Sequence, residues 1–257
     1  MKLSAVILTK NEDKNIERCL KSLDFVDEVI IVDDYSDDKT LEIIQKIDVG
    51  VGHDRPVFKV IQRKLNGDFA GQRNFGISKA NSDWVLFIDA DEEVTKELRN
   101  EILEHLQVDK EAFYLKRRDF FWGKELKYGE LKQIRQLGFI RLIRKNSGQW
   151  LGNVHEVFHT AKKTGQLNGF INHYPHPNLK EFIKDINYYS SLRAEELNRL
   201  NIKVNILEII FVPALKFIFN YLINFGFLDG VQGFTYAFMM SFHSFLVRSK
   251  LYQLQNL

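Results

Sequence analysis

The first hundred residues alternate between two hydrophobic periods. Residues 3–8 form a short apolar run containing β-branched side chains, the pattern of a buried strand. Residues 12–23 then place Ile16, Cys19, Leu20 and Leu23 at helical spacing. The pattern repeats: strands are predicted over 28–32, 57–62 and 84–88, and helices over 39–47, 69–80 and 94–106. Strand–helix alternation with short connections predicts an α/β fold, a mostly parallel sheet with helices on both faces. In such sheets ligands bind beyond the carboxyl ends of the strands.

The chain then changes character. Residues 112–118 and 139–143 read as strands around a Gly- and Lys-containing stretch at Gly123 and Gly129. Residues 178–200 read as a long polar helix, with Asn178 as N-cap after Pro177. From 206 to 247 the chain is apolar and aromatic, with Glu208, Lys216 and Asp229 as its fixed charges before the closing helix end. These changes divide the chain into an α/β half over 1–107, a second half over 108–200, and C-terminal apolar helices over 201–257.

Composition narrows the function classes. Hydrophobic residues at 45% and charged residues at 27% are the balance of a folded globular chain. Lys plus Arg number 36 against 34 Asp plus Glu, a net charge of +2, without the basic excess of a nucleic-acid binder. The single cysteine, Cys19, excludes an intrachain disulfide framework and an all-Cys zinc site, and its place on an apolar helix face reads as packing. The N-terminal apolar run is too short for a secretory signal, so a cytoplasmic location is expected.

Candidate chemistry gathers at strand ends. Asp89 and Asp91 stand two apart after the fourth strand, where they could hold a hard divalent cation, Mg²⁺ or Mn²⁺; acidic residues opening a helix give the structural alternative. Thr9, Lys10, Asn11 and Glu12 follow the first strand, and Asp33, Asp34, Ser36, Asp37 and Asp38 the second. Carboxylates there can accept N–H bonds from a base, and hydroxyls can meet a ribose, although Asn11, Asp37 and Asp38 are also ordinary turn and N-cap residues.

Taken in order, L-T-K-N-E at 8–12, V-D-D-Y-S-D-D-K-T at 32–40, G-Q-R-N at 71–74 and F-I-D-A-D-E at 87–92 resemble the family 2 glycosyltransferases with an A-type fold. The resemblance implies a nucleotide-sugar donor, a divalent metal and inversion at the anomeric carbon. It places Thr9, Asn11, Glu12, Asp33 and Asp34 toward the uracil and ribose, Arg73 on the donor, and Asp89 and Asp91 at the metal and diphosphate. The later segments G-K-E-L-K-Y-G at 123–129, F-I-R-L-I-R-K at 139–145, V-H-E at 154–156 and G-F-L-D-G-V-Q-G-F at 226–234 resemble the branch that adds sugars to lipopolysaccharide cores and other surface glycans. The Q-x-x-R-W motif of processive synthases is absent, which favours transfer of one sugar. An inverting transfer needs a base, and Glu156 is the leading candidate, followed by His155 (base or extra metal ligand) and Asp119. Arg135, Arg141 and Arg144 are candidates for the diphosphate or an anionic acceptor.

The expected activity is therefore metal-dependent hexosyl transfer from a nucleotide sugar, UDP-linked, to a lipid-linked or lipopolysaccharide-core saccharide. The rivals are a nucleotidyltransferase, which would more typically carry a Gly-rich basic loop after the first strand, and an inactive nucleotide-sugar-binding scaffold. His173-Tyr174-Pro175-His176-Pro177 reads as a rigid turn, with metal binding as its alternative. The tail over 206–225 has about the 20 residues that span a bilayer. Its polar interruptions instead favour helices lying on the inner face of the cell membrane, with Arg248 and Lys250 toward anionic headgroups. A homodimer contact or a hidden core is the other reading.

Overall fold

A computed structural model of the chain describes residues 1–48, 56–152 and 156–256. They form two compact units: residues 1–117 with 136–174, and residues 118–135 with 175–257.

In the first unit β1 (Leu3–Thr9), β2 (Glu28–Asp33) and β4 (Trp84–Asp89) are buried almost end to end, the signature of strands covered on both faces. They alternate with α1 (Ile16–Lys21), α2 (Thr40–Asp48), β3 (Val57–Gln62) and α3 (Phe69–Lys79). After β4 come β5 (Glu92–Val94), α4 (Lys96–His105) and β6 (Ala112–Phe121), whose last four residues belong to the second unit. Further strands are β7 (Lys124–Leu126), β8 (Phe139–Arg144), β9 (Gln149–Leu151), β10 (Val157–His159) and β11 (Thr164–His173), with a short α5 (Lys132–Leu137) before β8. The sheet order is β3-β2-β1-β4-β8-β6-β11-β5, with β7 on β6, and β9 pairs with β10 as a separate hairpin. Pairing is parallel from β3 to β4 and antiparallel for β4–β8, β8–β6 and β11–β5.

Alternate residues of each central strand feed opposite layers. Ala5, Ile7, Ile31 and Ile88 pack with Ile16, Cys19, Leu98 and Ile102; Val6, Ile30, Val32 and Phe87 pack with Ala70, Trp150 and Phe158. On the second layer α3 lies close to the sheet at Gly76, where a Cβ would come within 2.4 Å of Val6 Cγ1. Arg73, one turn earlier on the same helix face, is thereby carried over the strand ends.

The second unit is helical: α6 (Leu179–Arg199), α7 (Ile206–Ile218) and α8 (Gly230–Asn256), with α8 against both others. Asn178 caps α6 by accepting from the Glu181 N–H, and Asn205 and Glu208 form a capping box on α7. Phe121, Phe182, Ile186 and Met239 form its core. Asp229 acts as a clasp: its Oδ2 accepts the N–H groups of Lys127 and Tyr128, both at 2.9 Å, and its carbonyl accepts from Lys124 Nζ at 2.7 Å. Beside it Gly233 is obligatory, since a Cβ there would lie 2.1 Å from the Gly226 carbonyl oxygen.

Two expectations change. The positions near 107 and 200 do not separate these units, because α6 packs with α8 in one body. Arg248 and Lys250 are turned inward: Lys250 Nζ donates to the Asn187 carbonyl and Oδ1, Ser190 Oγ and Ser191 Oγ, and Arg248 Nη1 to the Ser244 carbonyl and hydroxyl. Neither is placed to meet lipid headgroups. Among the described residues, 206–223 form the one helical stretch long and apolar enough to cross a membrane by length and composition.

Candidate active site

At the carboxyl edge of β1 and β2 two loops are laced together. Asn11, in a left-handed conformation (φ 56°), donates its N–H to Ser36 Oγ and accepts from the Asp37 N–H through Oδ1, both at 2.9 Å. The Glu12 N–H reaches Thr40 Oγ1 at 2.7 Å, and Glu12 Oε2 accepts from Asn15. Lys10 Nζ donates to the carbonyls of Asp34 and Tyr35. Asp33 is fully buried and accepts from the Ser36 N–H and hydroxyl and from Gln62 Nε2. Asn11, Glu12 and Asp33 thus hold the two loops together. Asp34 is half-buried, with Oδ1 on the Leu65 N–H. Thr9 Oγ1 is buried without a hydrogen-bond partner. Tyr35, another left-handed residue (φ 53°), exposes its ring at this edge and offers a stacking surface that the sequence reading passed over.

At the end of β4 the two aspartates part company. Asp89 closes the strand and Asp91 lies in the turn after it. Asp89 Oδ1 accepts from Arg73 Nη2 at 2.8 Å and Oδ2 from Arg141 Nη2 at 2.6 Å. Arg141 arrives because β8 runs antiparallel to β4 with Leu142 opposite Leu86, which sets Arg141 one residue further toward the carboxyl end of β4. Arg73 Nε also donates to Glu156 Oε1 at 2.7 Å, and its guanidinium lies over the Trp150 ring. Burial pushes the Asp89 carboxyl up, but the Arg141 and Arg73 charges outweigh it and hold it well below the usual carboxylate range.

Asp91 has a different partner. β11 pairs with β5 so that His173 stands opposite Glu92, which brings His173 Nε2 to 3.1 Å from Asp91 Oδ2. Burial alone would raise the Asp91 carboxyl; His173 more than offsets it, and the net shift is downward. Glu92 is buried, accepts the Asp89 N–H, and is pushed up by burial and by Asp89. Cys19 Sγ lies 3.5 Å from the Asp89 carbonyl; burial, then Glu92, Asp91 and Asp89, raise its thiol.

Among the described residues no three His, Cys, Asp or Glu side chains converge on one point. Asp91 and His173 are the donors that suit a divalent cation, which needs one or two such protein ligands when phosphate oxygens complete its shell. Asp89, expected as a metal ligand, has both oxygens in ion pairs. Arg73 Nη1 and Arg141 Nε are buried donors without partners, as an awaiting anion would require.

The remaining candidates have these surroundings. Arg144 is at the far end of β8, opposite Trp84, and within 3.7 Å of Glu111. Arg135 pairs with Glu125, and Asp119 is buried on β6 opposite Leu126, both in the second unit. His155 lies outside the described residues. His173 is paired with Asp91 in the first unit, and His176, in the second, pairs with Asp185 and stacks on Phe182.

The family model described as "Glycosyl transferase family 2" matches residues 4–163. The lipopolysaccharide core biosynthesis glycosyltransferase LpsC of Rhizobium meliloti is 30% identical over 258 residues, covering 98% of this chain and 92% of that protein. A glycosyltransferase of Rickettsia typhi is 29% identical over 270 residues, covering 98% and 87%. Among solved structures, the mannosyltransferase PcManGT of Pyrobaculum calidifontis, in complex with GDP-Man and Mn²⁺, has a TM-score of 0.59 at 11% identity and covers 97% and 86% of the two chains. S. aureus TarS 1-349 in complex with UDP-GlcNAc has a TM-score of 0.51 at 17% identity, covering 99% and 92%. Strand order, motif placement and these likenesses agree: the chain belongs to glycosyl transferase family 2 and carries the A-type glycosyltransferase fold.

Proposed function

We propose that the chain transfers one sugar, with inversion, from a UDP-linked donor to a lipid-linked or lipopolysaccharide-core saccharide. Family membership removes the nucleotidyltransferase alternative. The observation that carries the reading is the pairing of Asp91 with His173 beside two arginines that each keep an unpartnered buried donor. A diphosphate supplies the anion those donors lack, and Asp91 and His173 would hold a divalent cation on its oxygens. That cation would supply Lewis-acid stabilisation of the departing nucleoside diphosphate.

The chain's own groups do the rest. Thr9 Oγ1 and Asp34 bind the nucleoside, Asp34 accepting from the uracil N–H. The two solved neighbours carry different bases, UDP and GDP, so the preference rests on Asp34 and not on them. Arg73 and Arg141 fix Asp89 and orient the diphosphate. Glu156, whose Oε1 is held by Arg73 Nε, takes the proton from the acceptor hydroxyl as the hydroxyl oxygen attacks the anomeric carbon and the bond from that carbon to the nucleoside diphosphate breaks. The LpsC likeness supports the acceptor class. Because Arg141, Glu156 and His173 all join the site, residues 1–107 alone form an incomplete donor site.

The test is a nucleotide-sugar panel read by thermal stabilisation and by release of nucleoside diphosphate, with Mn²⁺, with Mg²⁺ and with EDTA. Selective, metal-dependent response to UDP-sugars is expected. Equal response to GDP-sugars removes the base assignment, and full turnover in EDTA removes the metal.

A further inference from the structure

The outer face of α7 is a stripe without a polar side chain. Positions 206, 207, 210, 211, 214, 215, 218, 219, 222 and 223 recur as i, i+1, i+4, i+5 pairs through the helix and the π-helical turn that ends it, Phe219–Ile223. All ten are Ile, Leu, Phe or Ala and all ten are exposed, Leu215 by 60% and Phe219 by 56%. The stripe continues through Phe225, Phe227, Leu228, Val231, Phe234 and Phe238. Phe225 holds a left-handed conformation (φ 62°) that leaves its ring exposed, edge-on to the ring of Phe227.

From this we propose that the stripe lies flat on a lipid bilayer, its side chains at the headgroup–acyl boundary. Three observations choose the lipid surface over a protein partner or a membrane span. Protein interfaces place a hydrogen bond every 100–200 Å² or so and enrich Arg and Tyr; this stripe offers no donor or acceptor side chain to set a register, which a bilayer does not need. The inner side of α7 is committed by polar bonds that a solitary spanning helix would have to abandon: Ser241 Oγ donates to the Pro213 carbonyl, and Glu130 accepts from Lys216 at 3.0 Å and from Asn220 at 3.1 Å. Exposed lysines stand near both ends of the stripe, Lys203 before α7 and Lys127 on the loop clasped by Asp229, the latter 4.0 Å from Glu125 and still largely exposed to anionic headgroups. A patch of this extent on a soluble monomer marks an interaction surface. The inference is independent of the donor chemistry proposed above.

The test uses the full chain with phosphatidylcholine vesicles, with and without phosphatidylglycerol. The variant Phe219→Trp should shift its emission to the blue on adding vesicles and be quenched by lipids brominated in the acyl chain. Leu215→Glu, at an exposed position, should keep the thermal transition and lower the vesicle-bound fraction about tenfold or more. Alkaline carbonate should extract the bound protein. The proposal is overturned if wild-type protein stays in the supernatant with every vesicle, if carbonate fails to extract it, since that means a span, or if sedimentation shows a homodimer that Leu215→Glu dissociates, since that puts a second copy on the stripe.

Discussion

The carboxyl edge of the sheet and the outer face of α7 present surface to their surroundings in opposite ways. At the edge most buried polar atoms have an internal partner; among those that do not, Thr9 Oγ1, Arg73 Nη1 and Arg141 Nε say where a ligand belongs, while Glu92 Oε1 stands 3.9 Å from Arg141 Nη2. Along the exposed stripe of α7 there is no polar side chain to satisfy, so recognition by the stripe itself is desolvation. Unsatisfied donors in a rigid frame can discriminate between ligands, because the wrong ligand leaves them unpaired. Apolar area adheres and discriminates little.

The sharpest way to break the contrast is to remove the hub of the edge. Arg73→Met leaves Glu156 and one oxygen of Asp89 without their cation; it should lower stability by about 3 kcal/mol and transfer by on the order of 10³-fold, read by thermal unfolding and initial rates. Retained transfer in a destabilised variant would make Arg73 purely structural. Asp91→Asn should cost on the order of 10²-fold or more in rate with little change in unfolding, and His173→Gln should weaken the metal response in the same titration. Glu156→Gln should slow transfer about 10²-fold while calorimetry finds UDP binding nearly intact. A fully active Gln variant would move the base to another group.

Two smaller effects separate neighbours within the edge. Asp34→Ala should lose most of the preference for UDP over GDP and CDP, whereas Asp33→Ala should instead cost about 1–3 kcal/mol of stability, because it strands the Ser36 and Gln62 donors. Acid titration is the gentlest probe. The Asp89 carboxyl ionises at lower pH in the folded chain than in the unfolded one, so its contribution is present at neutral pH and drains below about pH 4. Glu92 is shifted the other way, and its cost is relieved over falling pH. Asp89→Asn should therefore flatten the acid limb of the stability curve measured by denaturant unfolding.

The periodicities were enough to place β1–β4 and the helices between them, and Asn178 located the start of α6, because those signals are local. The aspartate pair stands at the carboxyl end of β4, where the strand pattern puts it. Its wiring was not legible: Asp89 meets Arg73 and Arg141, and Asp91 meets His173, through β8 and β11, whose antiparallel register no local pattern announces. His173 stood in a proline-flanked segment that looked like a turn, yet it is the last residue of a ten-residue strand. Its alternation of small and apolar residues, with Gly165 and Gly169, was the available signal. The inward commitment of Lys250 was equally hidden, since its partners lie about sixty residues away on α6.

Cys19 gives the chain a practical property. It is the only thiol in the sequence, it is wholly enclosed, and burial together with the acidic cluster keeps it protonated. Alkylating reagents attack thiolates they can reach, so the native chain should be silent toward maleimides at neutral pH. A cysteine introduced at an exposed position such as 215 or 231 would then be the sole reactive handle, without first removing a native one. Spin labels or fluorophores can be attached along the α7 stripe one residue at a time in an otherwise unaltered enzyme.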